Sequence, residues 1–360
     1  MSTCRAAVIE APGKRPVVAD VTVPHLEPGG MLVEVEAATL CGTDVHFWHA
    51  DVPGSPSEPY IPGHETSGRI VELVGLRRDV TGDLLRVGDR VIWTYPFCRR
   101  CYYCSIARDP AQCVDMLRFG RTPSGRFPYL VGGCAEFHYV PPGSEVIRVT
   151  EGVSAAMAAM ASCALRTVMH AMEVVRTMDH QPTVMVQGCG AVGLLAVAVA
   201  RSRGAGEILA IGDPPDRHGL ARRFGANQVV GLSVGVAERK EWALDATGGR
   251  GVDVVIECAT SAAIPEGLDL LRPGGIIVCV GGGGVAPPIR PEVFAKGLRL
   301  TAIRGAEGRH YRSAIMFMES NGNLPFDELI GPPVGLAETG SALEDMAALR
   351  QIKPLIAPRA

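Results

Sequence analysis

Residues 183–203 run from a short apolar stretch, Thr183-Val184-Met185-Val186-Gln187, through Gly188-Cys189-Gly190-Ala191-Val192-Gly193 into an Ala/Val/Leu-rich helical segment. Glycines at that spacing between a strand and a helix restrict the backbone more than any other feature of the chain. Gly188 permits a tight turn, Gly190 lets a pyrophosphate approach the main chain, and Gly193 allows close packing of helix on strand. The helix N-terminus then faces the phosphates. Without a ligand the same glycines would be no more than a turn. Further apolar strands at 207–211, 252–257 and 276–280 alternate with helical stretches. That alternation predicts parallel β-α-β units in a doubly wound sheet and, with the glycines, a dinucleotide cofactor.

The second strand of such a unit should end in an acid that binds the ribose hydroxyls, about 20 residues beyond the glycines. Asp213 stands there, and its carboxylate would repel a 2′-phosphate, which favours NAD. Aligned on Arg217 and Phe224-Gly225-Ala226, however, the acidic position falls on Gly212, and Arg217 could receive a phosphate instead. NAD is the expectation and NADP the alternative. Asp216 reads as an acid at a helix N-terminus.

Residues 5–150 have a different texture, short strands broken by Pro and Gly clusters, which predicts a mainly β domain. Within it lies Cys98-x-x-Cys101-x-x-Cys104, closed by Cys113. Four thiolates in so short a loop suit one tetrahedral structural zinc. A disulfide cluster would need an oxidising compartment, and the opening residues lack the apolar core of a signal peptide. Of the other cysteines, Cys4, Cys134, Cys189, Cys258 and Cys279 read as small buried hydrophobes. A net charge of −3 gives no electrostatic case for nucleic acid or an anionic membrane. The most apolar stretch, Ala191 to Ala200, is too short to span a bilayer, so the expectation is a soluble, cytoplasmic protein.

Three further groups stand out: Cys41-Gly42-Thr43-Asp44-Val45-His46 after a strand, Gly63-His64-Glu65 after a proline-rich loop, and Cys163. Each alone has a plain structural explanation. With the four-cysteine lobe and the glycine motif, in this order, the chain resembles the zinc-dependent medium-chain alcohol dehydrogenases over essentially its whole length. The resemblance implies an α/β protein with a GroES-like, mainly β catalytic domain (1–163, zinc lobe 98–113). A Rossmann domain (164–304) and a C-terminal return (305–360) complete it, with the active site in the cleft between the domains. It also implies a second, catalytic zinc on Cys41, His64 and Cys163, some relatives carrying Glu at the last position. Three protein ligands leave the fourth place open, as a catalytic zinc requires. Zinc acts there as a Lewis acid on the alcohol oxygen, and the nicotinamide takes the hydride. Glu65 matches a carboxylate that approaches the zinc during ligand exchange, while Thr43 and His46 match a relay that removes the alcohol proton. This sequence departs from the pattern at Arg99, where glycine is common, in a gap from Cys104 to Cys113 one residue longer, and in the displaced ribose acid.

Trp48, Trp93, Tyr95 and Met116 flank the metal segments and could wall the pocket or simply pack the core. No cluster of Arg or Lys near the motifs demands a charged substrate. A medium-sized, fairly apolar alcohol, with its aldehyde or ketone, is the expected substrate. A polyol, amino-alcohol or glutathione-adduct dehydrogenase is the nearer rival, and a nucleotide-binding protein without activity the farther one. The resemblance further implies a homodimer or homotetramer joined through sheet edges, with the stretch around Ile276 to Pro288 as the candidate.

Overall fold

The computed structural model describes residues 2–175, 180–282 and 290–360, except the side chain of Glu292. The chain divides into two compact units. One comprises Met1–Arg166, Gly305–Gly322 and Phe326–Ala360, and the other Thr167–Arg304 with Asn323–Pro325.

The first unit is built on a seven-stranded sheet centred on Met31–Thr39, which pairs antiparallel with Glu65–Leu73, Phe137–Val140 and Lys353–Ile356. Met31–Thr39 explains itself by alternation. Met31, Val33, Val35 and Ala37 are buried, whereas Glu34 and Glu36 turn outward. Glu36 is then bridged by Arg69 on the neighbouring strand and Arg90 on the strand beyond it, at 2.9 and 2.5 Å. After the sheet, Ala155–Met160 begins a helix that passes through a π-helical turn at Ala161–Leu165. Such turns are uncommon and frequently mark functional sites. Ser162 pins this one: its hydroxyl donates to the Ala159 carbonyl at 2.7 Å and accepts from the Thr66 amide at 3.2 Å.

The second unit is a six-stranded, wholly parallel sheet in the order Gln228–Val230, Glu207–Ile211, Thr183–Gln187, Val252–Glu257, Leu271–Cys279, Arg299–Ala302. Every residue of Thr183–Gln187 is buried, as expected of a central strand covered on both faces. Leu271–Cys279 is flanked on both sides, so the edge on that side is Arg299–Ala302. Part of the stretch suggested for assembly, 283–288, lies outside the described residues.

The C-terminal return, 305–360, contributes both helices and strands to the first unit. Helix Gly308–Ser320 is followed by strand Ile330–Val334, helix Thr339–Ala347 and strand Lys353–Ile356, which pairs with Met31–Thr39. A four-residue strand containing a proline has too few positions to show a period of two. Among the described residues no helix is long and apolar enough to cross a membrane.

Candidate active site

Cys41 is the N-cap of helix Gly42–His49, and its amide donates to the Asp44 carboxylate at 2.9 Å. His64 enters from the loop preceding strand Glu65–Leu73, and Cys163 from the π-helical turn. His64 Nε2 lies 3.3 Å from Cys41 Sγ and 3.5 Å from Cys163 Sγ. Metal–ligand bonds of 2.0–2.3 Å in a tetrahedron require ligand atoms roughly 3.3–3.8 Å apart. The three atoms therefore fit one zinc ion, and a Glu65 carboxylate oxygen joins the same cluster, all four atoms within 4.8 Å.

Behind His64, Asp44 Oδ1 faces Nδ1 at 3.2 Å and also accepts the Gly63 amide at 3.1 Å. A carboxylate on the far nitrogen fixes the ring so that Nε2 points at the metal position. Although Asp44 is buried, His64 and the two amides hold its carboxyl below the usual range. Burial alone would lower the His64 pKa, but negative charge at Cys41 and Asp44 outweighs it and raises the value well above normal. The Cys163 thiol is held well below its ordinary value, chiefly by its hydrogen bond with Cys41, whose own value rises correspondingly. Two thiols, an imidazole and a carboxylate thus converge on one buried point, the donor set that a zinc ion takes.

Glu65 is wholly buried, with Thr39 Oγ1 and Lys353 Nζ both donating to its carboxylate at 2.5 Å. Arg166, three residues after Cys163, donates to the Ser162 carbonyl at 3.2 Å, approaches Cys163 Sγ at 3.7 Å and lies over the Tyr311 ring. Asp44, Thr39, Lys353 and Arg166 were all missed from the sequence. Only Asp44 carried a usable signal, its place three residues after Cys41 in a motif already singled out.

Thr43 and His46 occupy neighbouring positions on one face of helix Gly42–His49. His46 Nδ1 meets Asp51 Oδ1 at 2.9 Å. Trp48 and Trp93 are core residues, and Trp48 Nε1 donates to the Lys14 carbonyl. Met116 is half-buried. Tyr95 stacks on Phe119 with ring centroids 5.1 Å apart and lies within reach of the charges at His64, Arg166, Cys163 and Cys41.

The sulfurs of Cys98, Cys101, Cys104 and Cys113 also lie within 4.8 Å of one another, with Cys98 and Cys104 at 4.0 Å. Main-chain amides point at sulfur, Cys98 N at Cys113 Sγ and Cys101 N at Cys98 Sγ, both at 3.4 Å. Amide donors favour thiolate, and the Cys101 value falls to about 6, first through the Cys104 amide.

In the second unit, Gly188 closes the turn at φ 110°, and Gly190 caps helix Ala191–Ser202. A Cβ on Gly193 would lie 1.9 Å from the Gly188 carbonyl oxygen, whereas one on Gly190 would meet nothing within 4 Å. Main chain is thus open to a ligand at Gly190. A Cβ on Gly212 would lie 2.6 Å from the Cys189 nitrogen, so that position has no room for an acidic side chain. Asp213 Oδ1 accepts the Leu232 amide at 3.1 Å, and Arg217 is 7% exposed.

Two families match the chain: the alcohol dehydrogenase GroES-like domain over residues 27–151 and the zinc-binding dehydrogenase over residues 191–320. The 5-exo-hydroxycamphor dehydrogenase of Pseudomonas putida is 32% identical, covering 91% of this chain and 92% of that protein. An alcohol dehydrogenase from Thermotoga maritima has a TM-score of 0.93 at 30% identity, covering 99% of this chain and 100% of that one. A Sinorhizobium meliloti 1021 structure described as a zinc-binding dehydrogenase bound to NADP is 26% identical with a TM-score of 0.84, covering 99% and 100%. Fold and matches together define an oxidoreductase with a nucleotide cofactor and a small-molecule substrate. The chain belongs to the zinc-dependent medium-chain alcohol dehydrogenase family and interconverts an alcohol with an aldehyde or ketone.

Proposed function

We propose that Cys41, His64 and Cys163 hold the reacting zinc, and that Cys98, Cys101, Cys104 and Cys113 hold a structural one, two per chain. In this reading residues 1–163 with 305–360 form the catalytic domain and 164–304 the nucleotide-binding domain. The observation that carries it is the triangle of Cys41, His64 and Cys163 ligand atoms at tetrahedral spacing, which leaves a fourth position for substrate. Bound there, zinc supplies Lewis-acid polarisation of the alcohol oxygen. Asp44 orients His64, and the buried Glu65–Lys353 pair keeps a carboxylate beside the open position for ligand exchange. Thr43 accepts the substrate proton and His46 passes it outward, its ring held by Asp51.

The substrate we infer is a neutral, fairly apolar alcohol. Lys353 and Arg166, cations that reach the cluster, are already engaged by Glu65 and by Ser162, Cys163 and Tyr311. Tyr95 and Phe119 supply an aromatic wall. NAD is the cofactor we favour. Asp213 places its carboxyl group just beyond the end of strand Glu207–Ile211, where it accepts the Leu232 amide, and Arg217 is buried. The NADP-bound relative favours the second reading, in which Arg217 takes the 2′-phosphate. A cytoplasmic setting accords with eleven cysteines, all free. Assembly as a homodimer or homotetramer would use the open edge Arg299–Ala302.

The test is metal content per chain for the parent and Cys163→Ala, with activity on an alcohol panel under NAD and NADP. Two zincs in the parent, and one with no activity in the variant, are expected. One zinc in the parent with the variant unchanged would reject the site.

A further inference from the structure

Apart from the metal cluster, the first unit holds a cavity of about 480 Å³ where the Cys98 loop, residues 77–80, residues 142–146 and the start of helix Gly308–Ser320 meet. Five arginines line it, at positions 77, 78, 99, 309 and 312, against three carboxylates, Asp79, Glu145 and Glu307. Most of these charges are already committed. Arg77 is buried and donates to the carbonyls of Gly29, Pro141 and Ser144, and Arg78 to that of Gly82. Arg309 pairs with Glu307 at 2.8 Å. Glu145 accepts the Gly308 amide at 2.8 Å, and Asp79 accepts from Thr81 and Asp83.

Two guanidiniums, Arg99 and Arg312, have no hydrogen-bond or ion-pair partner among the described residues. Ser144 also lines the cavity; it is 4% exposed, and its buried hydroxyl has no hydrogen-bond partner among the described residues. Leaving a buried hydroxyl unpaired forfeits its hydration without return, so it calls for a ligand. Arg99 stands where the family pattern commonly has glycine, and its φ of 58° lies in the left-handed region that suits glycine.

We propose that this cavity binds a phosphate group, free or as the ester of a small metabolite, between Arg99, Arg312 and the Ser144 hydroxyl. Paired guanidiniums and a hydroxyl donor match a tetrahedral dianion better than a single carboxylate. The site is separate from the cluster of Cys41, His64 and Cys163.

The experiment measures thermal midpoint against inorganic phosphate or acetate at matched ionic strength. It uses zinc-loaded protein saturated with NAD, so that the glycine turn is filled. Phosphate should raise the midpoint of the parent more than acetate does. Arg99→Gly, whose glycine suits the backbone there, and Arg312→Gln should each weaken the apparent phosphate affinity about tenfold. Ser144→Ala should weaken it by a smaller factor, and all three should keep parental turnover. A phosphate shift no larger than that of acetate would overturn the proposal. So would a shift that survives intact in Arg312→Gln, a residue remote in sequence from the zinc lobe.

Discussion

Replacing Lys353 by Met tests whether the buried Glu65 carboxylate depends on one cation. Lys353 and Glu65 are 2% and 0% exposed, with Nζ 2.5 Å from the carboxylate. Desolvation raises the Glu65 pKa, and Lys353 is the foremost opposing charge. Met fills a similar volume, so the variant removes the charge without opening a large cavity. Breaking a fully buried pair from one side typically costs about 3–5 kcal/mol, because the remaining charge has neither water nor a partner. At about 1.4 kcal/mol per decade this is roughly three orders of magnitude in the folding equilibrium. The assay is denaturant unfolding of zinc-loaded Lys353→Met, Glu65→Gln and the double variant. Most of the loss should return in the double variant, where Thr39 can still donate to the amide oxygen introduced in place of the Glu65 carboxylate. A loss below about 1 kcal/mol, or a double variant no better than Lys353→Met alone, would refute the reasoning.

His138 should dominate an acid limb of stability. It is 1% exposed between Trp93 and Phe119, neither ring nitrogen has a side-chain partner among the described residues, and burial lowers its pKa to about 3 against a small opposing effect of the Tyr139 backbone. The unfolded imidazole protonates near 6.5 and the folded one only near 3, so stability falls as pH drops through that window. The loss reaches roughly 4–5 kcal/mol by about pH 3, and His138→Phe should flatten the profile. Asp44→Asn should weaken zinc binding about 10–100-fold in a chelator competition, with fold retained by circular dichroism. Gly193→Ala should lower the unfolding midpoint, because its methyl would collide with the Gly188 carbonyl. Gly190→Ala should leave that midpoint near the parent's while raising KM for the nucleotide, since its methyl meets open space where the pyrophosphate approaches. Equal stability losses in the two glycine variants would contradict this division.

What could be read from the chain alone was local. The four cysteines between 98 and 113 and the glycines between 188 and 193 each form one loop, so spacing alone carries the geometry. The parallel strands were legible because burial on both faces writes a run of apolar residues, as in Thr183–Gln187. The candidate metal triad was suggested only by resemblance, since Cys41 and Cys163 are far apart in sequence and no periodicity links them. Tertiary structure decided the rest. Lys353 meets Glu65 across a sequence separation of 288 residues, from a strand too short to announce itself. Arg166 acquires its place from a π-helical turn, and His138 becomes a buried base only through the rings packed on it. A side chain's charge and hydrogen-bonding capacity are set by its covalent structure. Whether that charge is paired, stranded or shielded from water depends on which distant segments fold against it.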